Sequence, residues 1–307
     1  MLKSSRRLFL RVANRILPED LFVAVEHMLY HLSVPSVARP RTFSEYVHYR
    51  KLYDRDPKLP VFTDKVRVKS EIGQLLGEDW VNPSLWIGEK AADMPFDALP
   101  EGFVLKANHG TNMNFIARPG RPLDRDAVRR LAAHWLGNDF GRLHREWAYT
   151  QIPRRLLVEP LLSDGKPLVD YKFYVFGGKV GFIDVKLGRG EGERETSAIM
   201  DKDWRRQPFR YGPQPPHPTD PPPPASLPRL LAAAEKIGQL FSFVRADFYE
   251  VDGRPYFGEA TFYPSAGLSR FCPVDFDAEF GKLIPQRSPS HRQREAAPKQ
   301  ATSGQRT

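Results

Sequence analysis

The chain lacks several features that define common protein classes. Its 307 residues include one cysteine, Cys272, which excludes an intramolecular disulfide and a cysteine-rich zinc site. The most apolar N-terminal stretch, residues 8–32, is interrupted by arginine, proline and acidic residues. It therefore falls short of the roughly 18 continuous apolar residues that indicate a membrane-spanning helix. With 41% hydrophobic and 27% charged residues, the composition is that of a soluble globular protein, and the single cysteine fits a cytoplasmic location.

Basic residues are concentrated at the two ends of the chain. Residues 1–15 carry a formal charge of +5 and residues 286–307 carry +4, which together account for the whole net charge of +9. Residues 16–285 are formally neutral. A nucleic-acid-binding protein usually carries its basic residues on the folded domain, so we predict no nucleic-acid partner.

Two interpretations of the basic N-terminus stay open. Residues 1–40 fit an amphipathic helical extension that docks on the body of the protein. The same residues also fit contact with an anionic membrane surface, which would place a cytoplasmic protein at the periphery of the inner membrane. The other basic end, residues 286–307, is polar with almost no apolar side chains, and we predict that it is a disordered tail.

The first third of the chain, to about residue 89, has helical patterns. Acidic residues after Pro18 begin a predicted helix. Its apolar positions are Leu21, Val25, Met28, Leu29 and Leu32. Thr42 and Glu45 match a capping box at the start of the next helix. A further helix is predicted to open at Thr63 and to end at Gly77.

The remainder of the chain is rich in β-strand patterns, separated by two helical ones. The strand-like runs are "GFVLKAN", "RRLLVEPLL", "DYKFYVFGGKVGFIDVKL" and "VRADFYEVDGRPYFGEATFYP". Gly177-Gly178 predicts a hairpin turn within the third run. The runs "DRDAVRRLAAHWLGND" and "SLPRLLAAAEKIGQLF" predict helices between strands. Proline-dense residues 208–228 predict an irregular or polyproline loop, and the whole pattern indicates an α+β fold.

The last strand run carries an acidic residue on each arm of its hairpin, Asp247 and Glu259. A two-residue turn at Asp252-Gly253 would place these acids on opposite faces. A three-residue loop that also includes Val251 pairs Asp247 with Phe257 and makes Glu259 a diagonal neighbour on the same face. We favour this second register because it sorts the alternating residues into an apolar and a polar face. The apolar face is then Val244, Ala246, Phe248, Gly258, Ala260 and Phe262, and the polar face is Arg245, Asp247, Tyr249, Glu259 and Thr261.

Two ionised carboxylates about 7 Å apart require a cation nearby. Arg245 fits that role as part of a structural salt bridge. A magnesium ion fits equally well, because Mg²⁺ takes one or two protein carboxylates and completes its octahedron with water and phosphate oxygens. The hairpin sequence does not decide between the two.

Other polar residues are candidates for nucleotide contacts, each with a purely structural alternative. Lys106 ends the run "FVLK" before a polar turn and fits a phosphate contact, although a lysine at a strand end is usually solvated. Glu159, followed by Pro160, fits a hinge between subdomains or a simple strand-end acid. In "DYKFYVF", Asp170 and Lys172 share a polar face, which also fits an edge strand with a solvated side.

In this order along the chain, the motifs resemble the ATP-grasp superfamily and in particular its TupA-like branch, which is tied to bacterial cell-surface polysaccharide biosynthesis. The resemblance extends from about Leu17 to Pro285. It depends mainly on "DYKFYVFGGKVGFIDV" and "VRADFYEVDGRPYFGEATFYPSAGL", and also on "RTFSEYVHYRKLYDRDPKLPVFTDK", "FVLKANHG" and "LLVEPLL".

The resemblance implies a role for each matching residue. These roles are ATP-phosphate contacts from Lys65 and Lys106, an adenine contact from Glu159 and the backbone of Pro160 and Leu161, a ribose contact from Asp170, stabilisation of the transferred phosphoryl group by Arg245, and Mg²⁺ coordination by Asp247 and Glu259. The sequence departs from the family pattern at Thr261, where many members have asparagine. Its phosphate loop also has a single glycine, Gly110, and there Asn112 and Asn114 would supply left-handed conformations.

The implied fold has two α+β subdomains that grip a nucleotide. Residues 41–285 would form this domain, divided into a helical part at 41–95, a small subdomain at 96–160 and a catalytic subdomain at 161–285. The implied enzyme uses Mg²⁺ and ATP to activate a carboxylate as an acyl phosphate and joins it to an amine; the carboxylate would be a uronic acid of a glycan and the amine an amino acid. The alternatives are a glycosyltransferase-type enzyme of the same pathway and a degenerate nucleotide-binding domain without turnover.

Overall fold

The computed structural model describes residues 2–163, 168–188 and 194–285. The predicted tail at 286–307 lies outside the described residues. The α-helices are α1 Leu2–Ile16, α2 Glu19–His31, α3 Phe43–Tyr53, α4 Lys58–Thr63, α5 Val68–Leu76, α6 Arg125–Gly137, α7 Phe140–Leu143, α8 Trp147–Thr150, α9 Leu227–Gly238 and α10 Asp275–Lys282. The strands are β1 Trp86–Gly88, β2 Phe103–Ala107, β3 Asn114–Ala117, β4 Leu156–Pro160, β5 Asp170–Phe176, β6 Lys179–Leu187, β7 Thr196–Met200, β8 Arg210–Tyr211, β9 Phe243–Val251, β10 Arg254–Thr261 and β11 Phe271–Cys272.

The predicted helix starts are partly correct. The capping box at α3 is confirmed, because Thr42 accepts a hydrogen bond from the Glu45 amide and the Glu45 carboxylate accepts one from Thr42. The helix that was predicted to open at Thr63 begins at Val68 instead. Thr63 ends α4, and the Asp64 carboxylate then accepts a hydrogen bond from the Val66 amide, which turns the chain before α5.

α2 is confirmed as a helix, but its buried face is not the predicted leucine-rich one. The residues that it buries are Phe22, Val23, Glu26 and His27. Leu21, Met28 and Leu32 are exposed instead. In the described part of the chain, no helix is long and apolar enough to cross a bilayer.

A four-stranded antiparallel sheet has the order β1-β4-β2-β3. It packs with α6 around a core that includes Phe103, Leu105, Val128 and Trp135. β1 lies within the range assigned from sequence to the helical part, yet it pairs with β4 and completes this sheet.

The larger sheet is antiparallel with the order β10-β9-β5-β6-β7. The sheet and α9 contribute to an aromatic-rich core in which Phe43, Tyr174 and Phe243 have rings in contact. The hairpin prediction at Gly177-Gly178 is confirmed, and both glycines have positive φ as a tight two-residue turn requires. β5 lies in the centre of the sheet, so the edge-strand interpretation of "DYKFYVF" is wrong.

The proline-rich segment 208–228 contains β8, which pairs with β11, and its end overlaps the start of α9. Its intervening loop is held by specific polar contacts. The Trp204 indole donates a hydrogen bond to the Pro221 carbonyl at 2.8 Å, and the Arg206 guanidinium forms an ion pair with Asp220. The segment is thereby attached to the chain immediately before it.

The β9–β10 hairpin differs from the favoured register. Val251 pairs directly with Arg254, so Asp252 and Gly253 form a two-residue turn, both with positive φ. The predicted three-residue loop is wrong, and Asp247 pairs with Glu259 rather than with Phe257. Phe257 pairs with Phe248 and is buried with it, whereas Gly258 had been predicted on that apolar face.

A β-bulge explains how a two-residue turn still brings the two acids together. The register shifts between Phe257 and Glu259, so Gly258 is an extra residue in β10 and the alternation of faces is reset. A Cβ at Gly258 would lie 3.1 Å from the carbonyl oxygen of Asp247. A residue without a side chain therefore suits this position.

A buried ionic cluster joins α2, α3 and the segment before α8. Lys51 and Glu26 form an ion pair at 3.4 Å with both side chains fully buried. The Nδ1 atom of His144 lies 2.5 Å from Glu26 on the opposite oxygen. Glu146 is buried beside them, and burial raises its pKa to about 7, an effect that Lys51 and His144 partly oppose.

The raised pKa of Glu146 predicts a measurable pH dependence of stability. Between pH 4.5, the ordinary value, and about 7, the folded chain keeps a proton that the unfolded chain loses. The free energy of unfolding should therefore fall as the pH rises through this window, by about 3 kcal/mol from this group. Glu146→Gln removes the titrating group, so urea unfolding at pH 5 and pH 8 should show a smaller loss in the variant.

Comparing the unaltered chain with the Glu146→Gln variant separates the contribution of Glu146 to the pH dependence from that of other titrating groups. His27, whose pKa burial lowers to about 4, contributes with the opposite sign between pH 4 and 6.5, but it does so equally in both proteins. An identical change in unfolding free energy from pH 5 to pH 8 in the two proteins would contradict the assignment of a proton to Glu146.

Candidate nucleotide-binding site

The polar side of the larger sheet carries a group of alternating acids and bases on adjacent strands. We call Asp170, Lys172, Arg245, Asp247 and Glu259 the carboxylate cluster. Cross-strand pairing places Asp247 between Lys172 on β5 and Glu259 on β10. The side chains of Asp170 and Asp247 are each 1% exposed, whereas that of Glu259 is 27% exposed. Glu259 is therefore the carboxylate through which the cluster reaches solvent.

Arg245 bridges the two hairpin carboxylates. Its Nε and Nη2 atoms donate to the two oxygens of Asp247, each at 2.7 Å, in a bidentate ion pair. Nη2 also donates to Glu259 at 2.9 Å and to the Thr261 hydroxyl at 3.0 Å. Lys172 lies 2.7 Å from Asp247 and 2.8 Å from Asp170. Arg245 thus supplies the cation that the sequence required between Asp247 and Glu259.

The protonation equilibria of the cluster reflect burial and these ion pairs. Burial raises the pKa of Asp247 even though Arg245 and Lys172 oppose the shift. Burial would also raise the pKa of Glu259, but Lys65 and Arg245 hold it well below its usual range. Burial would lower the pKa of Lys172, but Asp170 and Asp247 raise it. Glu259 is therefore an anion throughout the physiological pH range.

Lys65 connects the carboxylate cluster to the smaller sheet. Its ammonium group donates to the carbonyl of Gly110, in the loop after β2, at 2.7 Å and lies 3.5 Å from Glu259. Its own amide donates to the carbonyl of Asn108 at 3.3 Å. One lysine thus faces both the predicted phosphate loop and the hairpin acid.

A second group of charges involves the two central strands of the smaller sheet, β2 and β4. We call Lys69, Lys106 and Glu159 the hinge cluster. The two ammonium groups lie 2.5 Å from opposite oxygens of Glu159. Burial would raise the pKa of Glu159, but Lys106 and Lys69 lower it, and burial lowers the pKa of Lys69 although Glu159 opposes this. The carboxylate is therefore ionised between two cations.

The backbone next to the hinge cluster is held by α5 and the segment that follows it. The Asn82 side-chain amide donates to the Pro160 carbonyl at 3.1 Å, and Lys69 donates to the Asn82 carbonyl. Pro160 and Leu161 are partly buried. The segment predicted to contact a base edge is thereby fixed relative to Lys69.

The loop between β2 and β3 compensates for its single glycine. Asn112 has φ of 57°, which confirms the predicted left-handed conformation. Asn114 does not have it, because it is the first residue of β3 and pairs with Lys106. At Gly110 a Cβ would lie 2.9 Å from the end of the Met113 side chain and 3.1 Å from the Phe140 ring. The glycine thus allows close packing under the loop.

The structure brings the predicted site residues into two groups and adds charges that the sequence did not assign. Arg245, Asp247 and Glu259 are in direct contact, with Lys65 next to them. Lys106 and Glu159, given separate roles from sequence, form an ion pair. Lys69 was missed, because its partner Glu159 lies on a distant strand and the lysine alone resembles a solvated charge. The sequence placed Lys172 on a polar face with Asp170 but assigned it no role in the site.

The polar side of the sheet continues beyond the predicted residues. On β6, Asp184 pairs with Lys172 across the strands and accepts a hydrogen bond from the Ser197 hydroxyl at 2.6 Å. The Lys186 ammonium lies 2.9 Å from Asp184. These buried polar residues extend the charged surface to β7, and a repeated alternation in "GFIDVKL" is the sequence signal for them.

The donor set fits a magnesium ion bound together with phosphate. Asp247 and Glu259 are carboxylates at directly paired positions; the Asp247 oxygens both accept from Arg245, and Glu259 is partly exposed beside Lys65. Within the described residues, no group of three or more His, Cys, Asp or Glu side chains is arranged to hold a metal ion. A pair of carboxylates that relies on phosphate and water for its other ligands is the usual Mg²⁺ arrangement in phosphoryl-transfer sites.

Comparisons with known proteins give one family and a set of distant structural similarities. D-alanine–D-alanine ligase from Bacillus anthracis with ATP matches at 17% identity and a TM-score of 0.46, covering 77% of this chain and 69% of the ligase. L-amino acid ligase from Bacillus licheniformis matches at 13% identity and a TM-score of 0.42, covering 92% of this chain and 61% of the ligase. The ATP-grasp ligase PsnB with a precursor variant, Mg and ADP matches at 15% identity and a TM-score of 0.40, covering 74% of this chain and 58% of PsnB.

No match was found among curated proteins. The family model described as TupA-like ATPgrasp matches residues 45–285. This range contains the carboxylate cluster, the hinge cluster and both larger sheets, and it agrees with the resemblance seen in the sequence motifs. Because the matched range is well over half of the chain, the protein belongs to the TupA-like ATP-grasp family and has the ATP-grasp fold.

Proposed function

We propose that the protein is a Mg²⁺- and ATP-dependent ligase that joins a carboxylate to an amine. The observation that carries the proposal is the position of Lys65, which contacts Gly110 in the loop after β2 and faces Glu259 on the catalytic hairpin. Lysine, arginine and carboxylate groups from separate segments therefore meet at one place. In this proposal Lys65 and Lys106 bind ATP phosphates, and Asp247 and Glu259 hold the metal.

The proposed reaction has two steps. A substrate carboxylate oxygen attacks the γ-phosphorus of ATP, ADP leaves, and the product is an acyl phosphate. The amine then attacks the acyl carbon, inorganic phosphate leaves, and the amine loses a proton as the amide forms. Both steps depend mainly on charge neutralisation and positioning, which agrees with a site built of lysines, arginine and carboxylates.

The residues of the carboxylate cluster would divide this work. Arg245, with its guanidinium held between two carboxylates, is oriented to stabilise negative charge on the phosphoryl group. Lys172 forms ion pairs with both Asp247 and Asp170 and so offsets their negative charge in a buried setting. When bound, Mg²⁺ would neutralise phosphate oxygens and act as a Lewis acid.

The hinge cluster supports a separate role in base recognition. We propose that Glu159 and the backbone of Pro160 and Leu161 contact the adenine, with the carboxylate of Glu159 positioned by Lys69 and Lys106. Asp170 would contact the ribose. Residues 86–160 around the smaller sheet and residues 168–285 around the larger one would then grip the nucleotide from two sides.

The proposed substrates follow from the setting of the family. A uronic acid on a cell-surface glycan or its precursor would supply the carboxylate, and an amino acid would supply the amine. Such a role belongs to cell-surface polysaccharide biosynthesis. No nucleic-acid partner is part of this proposal.

A hydroxylamine assay tests the ligase function. The protein is incubated with Mg²⁺ATP, a panel of uronic acids and hydroxylamine, and ADP and hydroxamate are measured together. Hydroxylamine traps an acyl phosphate, so we expect the two products in equal amounts and only with the correct carboxylate. Reactions without carboxylate give the background. Amino acids then replace hydroxylamine to identify the amine.

The same assay distinguishes the alternative functions. ATP binding with no ADP release under any substrate combination would indicate a degenerate nucleotide-binding domain. Tight binding of a sugar nucleotide, with no binding of ATP, would indicate a glycosyltransferase-type enzyme. ADP release without hydroxamate would contradict the acyl phosphate intermediate.

A further inference from the structure

Exposed apolar side chains are concentrated in the N-terminal helices. Among the described residues, fifteen large hydrophobic side chains are exposed, and seven of them lie within the first 34 residues. Those seven are Phe9, Val12, Ile16, Leu21, Met28, Leu32 and Val34. Scattered exposed hydrophobic residues are ordinary, but a concentration of this kind marks an interaction surface.

α1 has two distinct apolar sides. Leu10 and Ala13 are buried in one cluster with Phe22 and Val23 of α2 and Leu52 of α3. Phe9, Val12 and Ile16, spaced three and four residues apart, form a second stripe that is 51%, 51% and 72% exposed. Docking on the protein therefore does not account for this stripe.

The orientation of α2 also leaves its apolar positions outside. Its buried Glu26 is held by Lys51 and His144, and this ionic cluster fixes which side of the helix faces inward. Leu21 and Met28, seven residues apart on the same side, remain exposed. Both helices of the extension thus present leucine, methionine, valine or phenylalanine to the surroundings.

The charge of α1 identifies the kind of partner. Residues 1–15 carry five basic residues and no acid. Arg11 and Arg15, four residues apart and both exposed, border the stripe of Phe9, Val12 and Ile16. An apolar stripe with a basic border is the pattern of helices that lie in the interface of an anionic bilayer. A second copy of the chain would bring two such positive surfaces together, and nucleic acid would leave the apolar stripe uncovered.

We propose that α1 and the exposed side of α2 dock the protein on an anionic lipid bilayer. α1, at 15 residues, is about 22 Å long, so it would lie along the surface with its apolar stripe among the acyl chains and its arginines at the headgroups. This proposal does not depend on the proposed ligase activity. It would place the catalytic domain beside a membrane, where lipid-linked substrates are held.

Vesicle co-sedimentation with the full chain tests the proposal. The vesicles contain phosphatidylcholine alone or an equal mixture with phosphatidylglycerol, at 0.1 M and 0.5 M NaCl. We expect binding to the anionic vesicles at 0.1 M NaCl, at least about tenfold weaker binding at 0.5 M, and little binding to phosphatidylcholine.

Two variants of α1 test the apolar stripe and its basic border separately. The triple variant Phe9→Ser, Val12→Ser, Ile16→Ser should lose at least about tenfold in affinity, because three buried apolar groups are removed. The double variant Arg11→Glu, Arg15→Glu should lose more at low salt than at high salt. Circular dichroism and thermal unfolding of each variant establish that the fold is kept.

Matched controls make the outcome decisive. Leu85→Ser, Ile116→Ser, Leu131→Ser changes three exposed hydrophobic residues elsewhere, and Arg292→Glu, Arg294→Glu makes the same charge change at the other basic end. Both controls should bind anionic vesicles like the unaltered chain. The proposal is overturned if no vesicle binding occurs, if either control loses as much affinity as its partner variant, or if the serine triple variant abolishes dimerisation rather than vesicle binding.

Discussion

Glu259→Gln is expected to reduce ATP turnover by about 10³-fold while the protein remains folded. Such a loss corresponds to about 4 kcal/mol of transition-state stabilisation, the scale at which a metal ion contributes to phosphoryl transfer. The substitution keeps the size of the side chain but removes the charge that faces Lys65 and Arg245. Turnover is measured as ADP release, with the substrates identified by the hydroxylamine assay or with the uncoupled ATPase rate.

The result separates a metal-binding role from a structural salt bridge, which the sequence left open. If Glu259 only pairs with Arg245, the variant should lose stability and keep its rate. If Glu259 holds Mg²⁺, the variant should need a much higher Mg²⁺ concentration for nucleotide binding, as measured by calorimetry with and without Mg²⁺. Glu235→Gln is the matched control, because Glu235 is a partly exposed residue of α9 that pairs with the exposed Lys179. An unchanged rate and Mg²⁺ requirement in Glu259→Gln would remove Glu259 from the proposed site.

The hairpin shows how far sequence reasoning reached at this site. Alternation of polar and apolar residues correctly placed Arg245, Asp247, Glu259 and Thr261 together, but the reason it gave was wrong. Period-two alternation holds only while the register is unbroken, and the bulge at Gly258 breaks it. A glycine inside a strand is the available signal for such a bulge.

The sheets and the hairpin turn at Gly177-Gly178 could be predicted because their signals are local. The inward side of α2 could not, since it depends on ion pairs between Glu26 and residues 25 and 118 positions away along the chain. The position of Lys69 in the site also could not be predicted, because it depends on an ion pair with Glu159 on the smaller sheet. A buried ion pair has no periodic signature in the sequence, because each partner alone reads as a solvated charge.

Lys51→Met is expected to lower the free energy of unfolding by about 3 to 5 kcal/mol, because it leaves the buried carboxylate of Glu26 with only the His144 ring as a close side-chain partner. Burial would raise the pKa of Glu26, but Lys51 and His144 lower it. Without Lys51, that carboxylate should take up a proton at a higher pH. The destabilisation should therefore be larger at pH 8 than at pH 5, as measured by urea unfolding.

Two further variants show whether the loss comes from an unpaired buried charge rather than from lost packing. Lys179→Met removes a lysine from the exposed pair with Glu235 and should cost no more than about 1 kcal/mol. Adding Glu26→Gln to Lys51→Met should restore part of the lost stability, because the buried charge is then removed with its partner. If the double variant is instead less stable than Lys51→Met by the full cost of Glu26→Gln alone, the two residues act independently. The orientation of α2 would then have to come from its contacts with Leu10, Ala13 and Leu52, and not from the ion pair.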